Sequence, residues 1–161
     1  MITTEEIESK LLTLTFKSYV FFSIALSCLI SFLIGLIYNL LIVNSQAITE
    51  SDVSKMETWS IILLSLIIAP LFETVIFQTL LLGFTHRYLP KYSNLIVSLL
   101  FAVNHFSSIK QIVVTFFICL IFNYSYLHAK EREWNPFLTV LLIHSGYNLF
   151  VTTIFLSSKA L

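Results

Sequence analysis

Charged residues are scarce in this chain. Only 11% of its 161 residues are charged, whereas 57% are hydrophobic; soluble domains usually carry about 25% charged residues. The scarcity excludes an ordinary soluble domain and predicts an integral membrane protein. Basic and acidic residues number nine each, so the chain has no excess positive charge with which to bind nucleic acid.

Cysteine and glycine are rare as well. The two cysteines, Cys28 and Cys119, both lie in apolar runs, which excludes a disulfide framework and a paired-cysteine metal motif. Only three glycines are present. We predict that Gly35 and Gly83, which fall in apolar runs, permit close packing between helices.

The chain also lacks the basic start of a signal peptide. Its first ten residues carry three glutamates, and no small-residue cleavage pattern follows the first apolar run. Thr3 and Glu6 fit a capping box at the start of a helix. We therefore predict an interfacial N-terminal helix within residues 1–18.

Five apolar segments account for most of the remaining sequence. A membrane-spanning helix needs about 20 apolar residues, and four of the segments reach or approach that length. The third is interrupted by serine, asparagine and histidine, so it is either buried among the others or crosses only part of the bilayer. The expected fold is all-α, a polytopic bundle of about five membrane helices with a polar intramembrane cavity. The segments are 19–43, which is the first transmembrane helix, and then 60–84, 93–108, 111–128 and 136–156, which form a core over residues 60–156.

The positions of lysine and arginine predict the orientation. With five spans and a cytoplasmic N-terminus, six basic residues fall on the cytoplasmic side and three on the outer side. Cytoplasmic loops are enriched in lysine and arginine, so this orientation is favoured over its inverse. The cytoplasmic set is Lys10, Lys17, Arg87, Lys91, Lys130 and Arg132.

Glu73 is the residue that most strongly indicates function. It is the only acidic residue within 58–130 and lies in an apolar run, where a charged side chain costs about 3 kcal/mol on insertion scales. His105, His144 and Asn148 are polar residues in membrane segments that could contact it. Counted from the cytoplasmic ends of their segments at about 1.5 Å per residue, all four lie roughly 12–18 Å deep. They should therefore share one level of the bundle.

Short motifs surround these residues. His144 and Asn148 are four residues apart and so share one helix face, and Phe101 and His105 have the same spacing. The chain resembles the CAAX prenyl-protease and bacteriocin-processing family, whose motifs are Glu-Glu-x-x-x-Arg, Phe-x-x-x-His and His-x-x-x-Asn. The matching runs are APLFETVIFQ, FAVNH and HSGYN, which begin at residues 69, 101 and 144.

The resemblance implies an intramembrane glutamate protease that acts without a cofactor or metal. Glu73 and His105 would position and deprotonate a water molecule, while His144 and Asn148 would hold the oxyanion that forms on the attacked carbonyl. The partners would be the lipid bilayer and a substrate, either a membrane-associated peptide such as a bacteriocin leader or a prenylated protein C-terminus. Bacterial members of the family suggest a bacterial inner membrane. The sequence indicates no oligomeric state.

The first motif departs from the family pattern at two positions. Thr74 replaces the second glutamate of the pattern, and Gln78 replaces its arginine. These positions are i,i+4 neighbours, so we interpret the change as the replacement of an ion pair by a neutral pair able to hydrogen-bond. Phe77 and Phe101 are expected to support the motifs. Pro70 should bend its helix one turn before the catalytic carboxylate.

Three alternatives remain open from the sequence. A non-catalytic relative could use the same cavity as a bacteriocin-immunity or membrane scaffold protein, which the altered first motif favours. A small transporter subunit could use Glu73 as a proton carrier, although the first and fourth segments offer few polar residues to line a path. Zinc could bind Glu73, His105 and His144, since it accepts such ligands.

Overall fold

The structure is a computed structural model that describes residues 13–41 and 57–159. Within these ranges the chain forms five helices and no strand, which confirms the predicted all-α bundle. The interfacial helix predicted within residues 1–18 lies largely outside the described part of the chain. The helices are α1, Phe16–Leu41; α2, Thr58–Tyr88; α3, Ser93–Asn104; α4, Ile109–Glu131; and α5, Pro136–Lys159.

Four of these helices are long and apolar enough to cross a membrane. The exception is α3, which has 12 residues and so rises about 18 Å. The hydrocarbon core of a bilayer is about 30 Å thick. Helix α3 alone therefore covers only part of that thickness, which is one of the two outcomes that its polar residues predict, and residues 105–108 lead from it to the start of α4.

The outer surface of the bundle is apolar. Leu40, Phe84 and Phe106 are each more than 60% exposed, and many other large hydrophobic side chains also point outward. Exposed apolar area of this extent is typical of a surface that contacts lipid. It agrees with the charge scarcity of the sequence.

The centre of the bundle is α4, which packs against α1, α3 and α5. Over half of its most apolar window is buried (56%), compared with 11% for α1. The buried face of α4 carries polar as well as apolar side chains, among them Thr115, Cys119 and Asn123. This helix therefore brings hydrogen-bonding groups into the middle of the bundle.

Among the three glycines, the tightest helix contact occurs at Gly146, which was not expected from the sequence. A Cβ added to Gly146 would lie 2.5 Å from Cδ1 of Ile24, so α1 and α5 are in tight contact there. Gly83 has no such neighbour within 4 Å, and Gly35 has only the Lys110 side chain at ordinary contact distance, 3.7 Å. The prediction for Gly35 and Gly83 is wrong, because the partner helix decides where a glycine is needed and a single segment does not reveal its partner.

Two π-helical stretches, Leu64–Ile68 and Thr74–Leu82, flank Glu73 in α2. Pro70 explains the first. Proline has no N–H, and its ring crowds the carbonyl four residues earlier, so an α-helical turn cannot form normally at this point. The N–H of Ala69 bonds instead to the carbonyl five residues back. The bend predicted at Pro70 thus takes the form of a widened turn.

Candidate active site

The Glu73 carboxylate lies between two histidine rings. Its Oε1 is 3.7 Å from Nε2 of His105, and its Oε2 is 3.5 Å from Nε2 of His144. Direct hydrogen bonds measure about 2.7–3.2 Å, so the three groups face one another without being in direct hydrogen-bond contact. The structure thus brings together three of the four residues expected to be catalytic.

The end of α3 fixes the orientation of the His105 ring. The N–H of His105 bonds to the Ala102 carbonyl, which tightens the last turn and leaves the Phe101 carbonyl available. Nδ1 of His105 lies 2.8 Å from that carbonyl oxygen. A carbonyl oxygen can only accept, so Nδ1 carries the proton, and in the neutral ring Nε2 presents a lone pair toward Glu73.

Aromatic side chains hold both histidines in place. The ring centroids of Phe101 and His105 are 4.5 Å apart, and Phe77 packs edge-on against Phe101 with a centroid distance of 4.9 Å. On the other side of Glu73, the ring centroids of Phe122 in α4 and His144 are 4.5 Å apart. Phe77 and Phe101 therefore occupy supporting positions beside the site, and Phe122 is a supporting residue that the sequence motifs do not contain.

Asn148 ties α5 to α2 through a carbonyl that Pro70 leaves free. A π-helical carbonyl bonds to the N–H five residues on, and for Ser65 that residue is Pro70, which has no N–H. Nδ2 of Asn148 donates to the Ser65 carbonyl at 2.8 Å, and Oγ1 of Thr152 donates to Oγ of Ser65 at 3.0 Å. One of the two Nδ2 hydrogens of Asn148 thus bonds to the Ser65 carbonyl, and the other is available to a ligand.

The four residues line one cavity of about 510 Å³. Glu73, Phe122 and His144 lie toward its deep end. From there it extends toward the end of the bundle where α2 and α4 begin, and its wall there includes Ile61, Lys110 and Gln111. The cavity therefore leads from the carboxylate toward that end of the bundle.

Thr74 and Gln78 are both fully buried, but they do not bond to each other. Nε2 of Gln78 donates to Oδ1 of Asn123 at 3.1 Å. Oγ1 of Thr74 and Oε1 of Gln78 have no hydrogen-bond partner. The π-helical stretch that contains both residues changes the i,i+4 alignment assumed from the sequence. Thr74 and Gln78 thus each keep one buried oxygen without a partner, while the side-chain nitrogen of Gln78 bonds to Asn123 of α4.

Several neighbours of the site were not identified from the sequence. Ser65 could not have been, because Pro70 in a regular α-helix would release the carbonyl of Leu66, and only the π-helical turn shifts the free carbonyl to Ser65. Phe122, Asn123 and Lys110 lie on α4, which contains none of the three motifs, so only the packing of α4 against α2, α3 and α5 reveals them. Within residues 13–41 and 57–159, no group of three or more histidine, cysteine, aspartate or glutamate side chains is arranged to hold a metal ion.

A protein-family model, type II CAAX prenyl endopeptidase Rce1-like, matches residues 55–150. The match covers more than half of the chain and includes Glu73, His105, His144 and Asn148. The chain belongs to the Rce1-like family. No curated protein and no solved structure matches it.

Rce1-like proteins form a family of CAAX-type proteases, so the resemblance suggested by the three motifs is confirmed. With four membrane-length apolar helices, this Rce1-like chain is an integral membrane protein of a protease family. The matched region contains α2, α3, α4 and most of α5, whereas α1 lies outside it.

Proposed function

We propose that the protein is an intramembrane endopeptidase that uses a Glu73- and His105-activated water, without a metal, to hydrolyse a membrane-associated peptide or a prenylated protein C-terminus. The single observation that carries the proposal is the Glu73 carboxylate, which faces two histidine nitrogens at 3.7 and 3.5 Å within an intramembrane cavity. Membership of a protease family supports hydrolysis over ion transport.

The proposed reaction is a direct addition of water. Glu73, assisted by the Nε2 lone pair of His105, takes one proton as the water oxygen bonds to the peptide carbonyl carbon. The tetrahedral intermediate then collapses, the C–N bond breaks, and the nitrogen takes the proton that Glu73 or His105 holds. The products are an amine and a carboxylic acid, which releases its proton to water to become a carboxylate, and no covalent enzyme intermediate forms.

The oxyanion would be held by His144 and Asn148. The unused Nδ2 hydrogen of Asn148 can donate to it while the other continues to bond Ser65. Nε2 of His144, when protonated, is a second donor close to the carboxylate. Donors that are fixed before reaction lower the barrier most effectively, and the bond from Asn148 to Ser65 and the ring contact from Phe122 to His144 provide that fixation.

A non-catalytic role in bacteriocin immunity or as a membrane scaffold is the second candidate. The observation that favours it is the altered first motif, in which Thr74 and Gln78 each keep a buried oxygen without a partner. A protein of this kind would bind a peptide or partner in the same cavity but would leave it intact. Peptide cleavage by purified protein therefore separates the two candidates.

Hydrolysis is expected to survive strong chelation. Purified protein in lipid vesicles should cleave a prenylated test peptide at an unchanged rate after dialysis against EDTA and 1,10-phenanthroline, because a carboxylate and a histidine activate the water in this mechanism. A zinc endopeptidase treated in parallel is the control and should lose activity. Stoichiometric zinc in the purified protein, with both metal and activity absent in Glu73→Gln, would contradict the proposal.

The same proposal includes a bacterial inner membrane with the N-terminus in the cytoplasm. Alkaline phosphatase fused after the last residue should then be active and a fluorescent protein fused there should be dark, because the phosphatase folds only outside the cytoplasm. Reporters inserted in the segment 132–135 should give the opposite result. The reversed pattern at both positions would invert the orientation.

A further inference from the structure

Asn123 of α4 is a fully buried side chain whose polar atoms bond to two neighbouring helices. Its Oδ1 accepts a hydrogen bond from Nε2 of Gln78 in α2 at 3.1 Å. Its Nδ2 donates to Oγ of Ser98 at 3.0 Å and to the carbonyl of Asn94 at 3.2 Å, both in α3. One side chain thus connects the helix that carries the candidate catalytic carboxylate with the helix that positions the first histidine.

The partners of Asn123 fix the orientation of its amide. The carbonyl of Asn94 can only accept a hydrogen bond, so the amide nitrogen faces α3 and the amide oxygen faces α2. Nε2 of Gln78 points at that oxygen, and Sγ of Cys119 is a weaker second donor to it at 3.7 Å. Both polar atoms of Asn123 are therefore bonded inside the bundle. A buried amide that is fully bonded makes a directional and rigid connection.

The connection through Asn123 lies close to the level of Glu73 and His105. The chain turns back between α2 and α3, so these two helices lie side by side. Gln78 follows Glu73 by five residues in α2, and Ser98 precedes His105 by seven residues in α3. Both intervals amount to between one and two helical turns. A shift of α2 along α3 at the level of Asn123 would therefore be felt directly at the candidate catalytic pair.

Other contacts between α2 and α3 constrain that level less. Nδ1 of His86 lies 3.1 Å from Oγ of Ser93, beside the turn that joins the helices, and so is farther from the pair. The rings of Phe77 and Phe101 pack with centroids 4.9 Å apart, but apolar contact is not directional and permits a small shift. In the described part of the chain, the connection through Asn123 is thus the hydrogen-bonded link between α2 and α3 that lies nearest to the pair.

We propose that Asn123 is a positioning residue for hydrolysis, which sets the height of α2 relative to α3 and thereby the spacing of Glu73 and His105. The inference rests on the proposed peptidase function, in which both groups must contact one water molecule. Their side-chain atoms are 3.7 Å apart, and a misplacement of about 1 Å can reduce a rate by about 100-fold. Because Gln78 is neutral, an uncharged amide suits it as a partner, and the same amide supplies the donors that α3 requires.

Asn123→Leu should lower the kcat of test-peptide cleavage by about 10- to 100-fold and leave KM unchanged, because the substrate does not contact this residue. Leucine has the same branched shape as asparagine but forms no hydrogen bond. Gln78→Met removes the other partner of the same bond and should give a similar loss. The double variant should be no slower than the slower single variant, because losses at coupled positions are not additive.

Ser125→Ala is the matched control. Ser125 is also a fully buried polar residue of α4, and it accepts a hydrogen bond from Tyr19 of α1 at 3.1 Å. The variant therefore loses a buried bond between helices that involves neither α2 nor α3, and it should lower the melting temperature but keep the wild-type kcat. An equal fall of kcat in Ser125→Ala, or an unchanged kcat in Asn123→Leu, would overturn the proposal.

A milder pair of variants covers the case in which Asn123→Leu does not fold. Gln78→Met and Ser98→Ala each remove one end of the connection and leave Asn123 in place. Each should reduce kcat without a change in KM. An unchanged kcat in both variants would be incompatible with a positioning role for Asn123.

Nitrogen-15 NMR of the histidine rings separates this inference from the proposed function. Nε2 of His105 faces Glu73, so its resonance should respond to Glu73→Gln. The response should be much smaller in the Asn123→Leu background and unchanged in the Ser125→Ala background. If the response depends on Asn123 although no peptide is cleaved, the positioning role stands and the proposed hydrolysis is wrong. An equal response in the wild-type and Asn123→Leu backgrounds would refute the positioning role.

Discussion

Glu73→Gln should eliminate peptide hydrolysis and leave the protein folded. The amide has nearly the same shape as the carboxylate but cannot accept a proton, and a positioned acid–base group contributes about 10²–10⁴-fold to a rate. The glutamine can still face His105 and His144, which lie 3.7 and 3.5 Å from the carboxylate oxygens. The initial rate of test-peptide cleavage and the melting temperature in detergent would be measured on the same preparation.

Glu131→Gln is the matched control for this substitution. Glu131 is an exposed glutamate at the last residue of α4, so neutralising it should change the rate by less than twofold. If Glu73→Gln retained cleavage to within tenfold of wild type, water activation by Glu73 would be refuted. If neither protein cleaved any peptide but both bound one, the immunity or scaffold role would be the better account.

Gln78→Arg alone is expected to destabilise the protein strongly, and the added substitution Thr74→Glu should reverse most of the loss. Gln78 is fully buried, with its amide bonded to Asn123, so a guanidinium there would be a buried charge without a counterion. Breaking a buried ion pair by removal of one partner costs about 3–5 kcal/mol. Thr74 and Gln78 do not bond to each other, but the longer glutamate and arginine side chains have the reach to form an ion pair between these positions, one turn apart on the same helix.

The four proteins of this cycle are wild type, the two single variants and the double variant, compared by folded yield and melting temperature. Gln78→Arg combined with Thr79→Glu is the control. Residue 79 directly follows residue 78, and adjacent residues of a helix do not face each other. It should recover less than the Thr74→Glu combination. Purely additive effects in the cycle would mean that positions 74 and 78 do not interact. The altered motif would then no longer be explained as a paired replacement, and the non-catalytic role would gain support.

The main features of the fold follow from sequence because the bilayer restricts the possible structures. Within a membrane every backbone polar group must be paired internally, so long apolar runs form helices. The polar residues of α3 indicated that this segment is either buried or incomplete, and its 12-residue length decides between them. Gly146 could not be identified in this way, because its close contact with Ile24 depends on how α1 and α5 are aligned.

The convergence of Glu73, His105 and His144 was predictable because helix rise converts sequence position into depth. Their catalytic roles remain our proposal. The bond from Asn148 to Ser65 was not predicted, because it depends on the relative height of α2 and α5 as well as on the missing N–H of Pro70. The absence of a bond between Thr74 and Gln78 has a similar origin, since a π-helical stretch is not evident from residue spacing.

Because α3 is short, the lipids of the two leaflets contact different kinds of protein surface beside it. Lipids in one leaflet lie beside the regular helix α3, while those in the opposite leaflet lie beside the connection at 105–108, which lines a cavity of about 350 Å³. With about 18 Å of helix in a hydrocarbon core of about 30 Å, we expect headgroups and water to be drawn inward on that side, because exposed backbone is not tolerated in hydrocarbon. Local thinning of one leaflet would thus give the water consumed in hydrolysis a short path to Glu73.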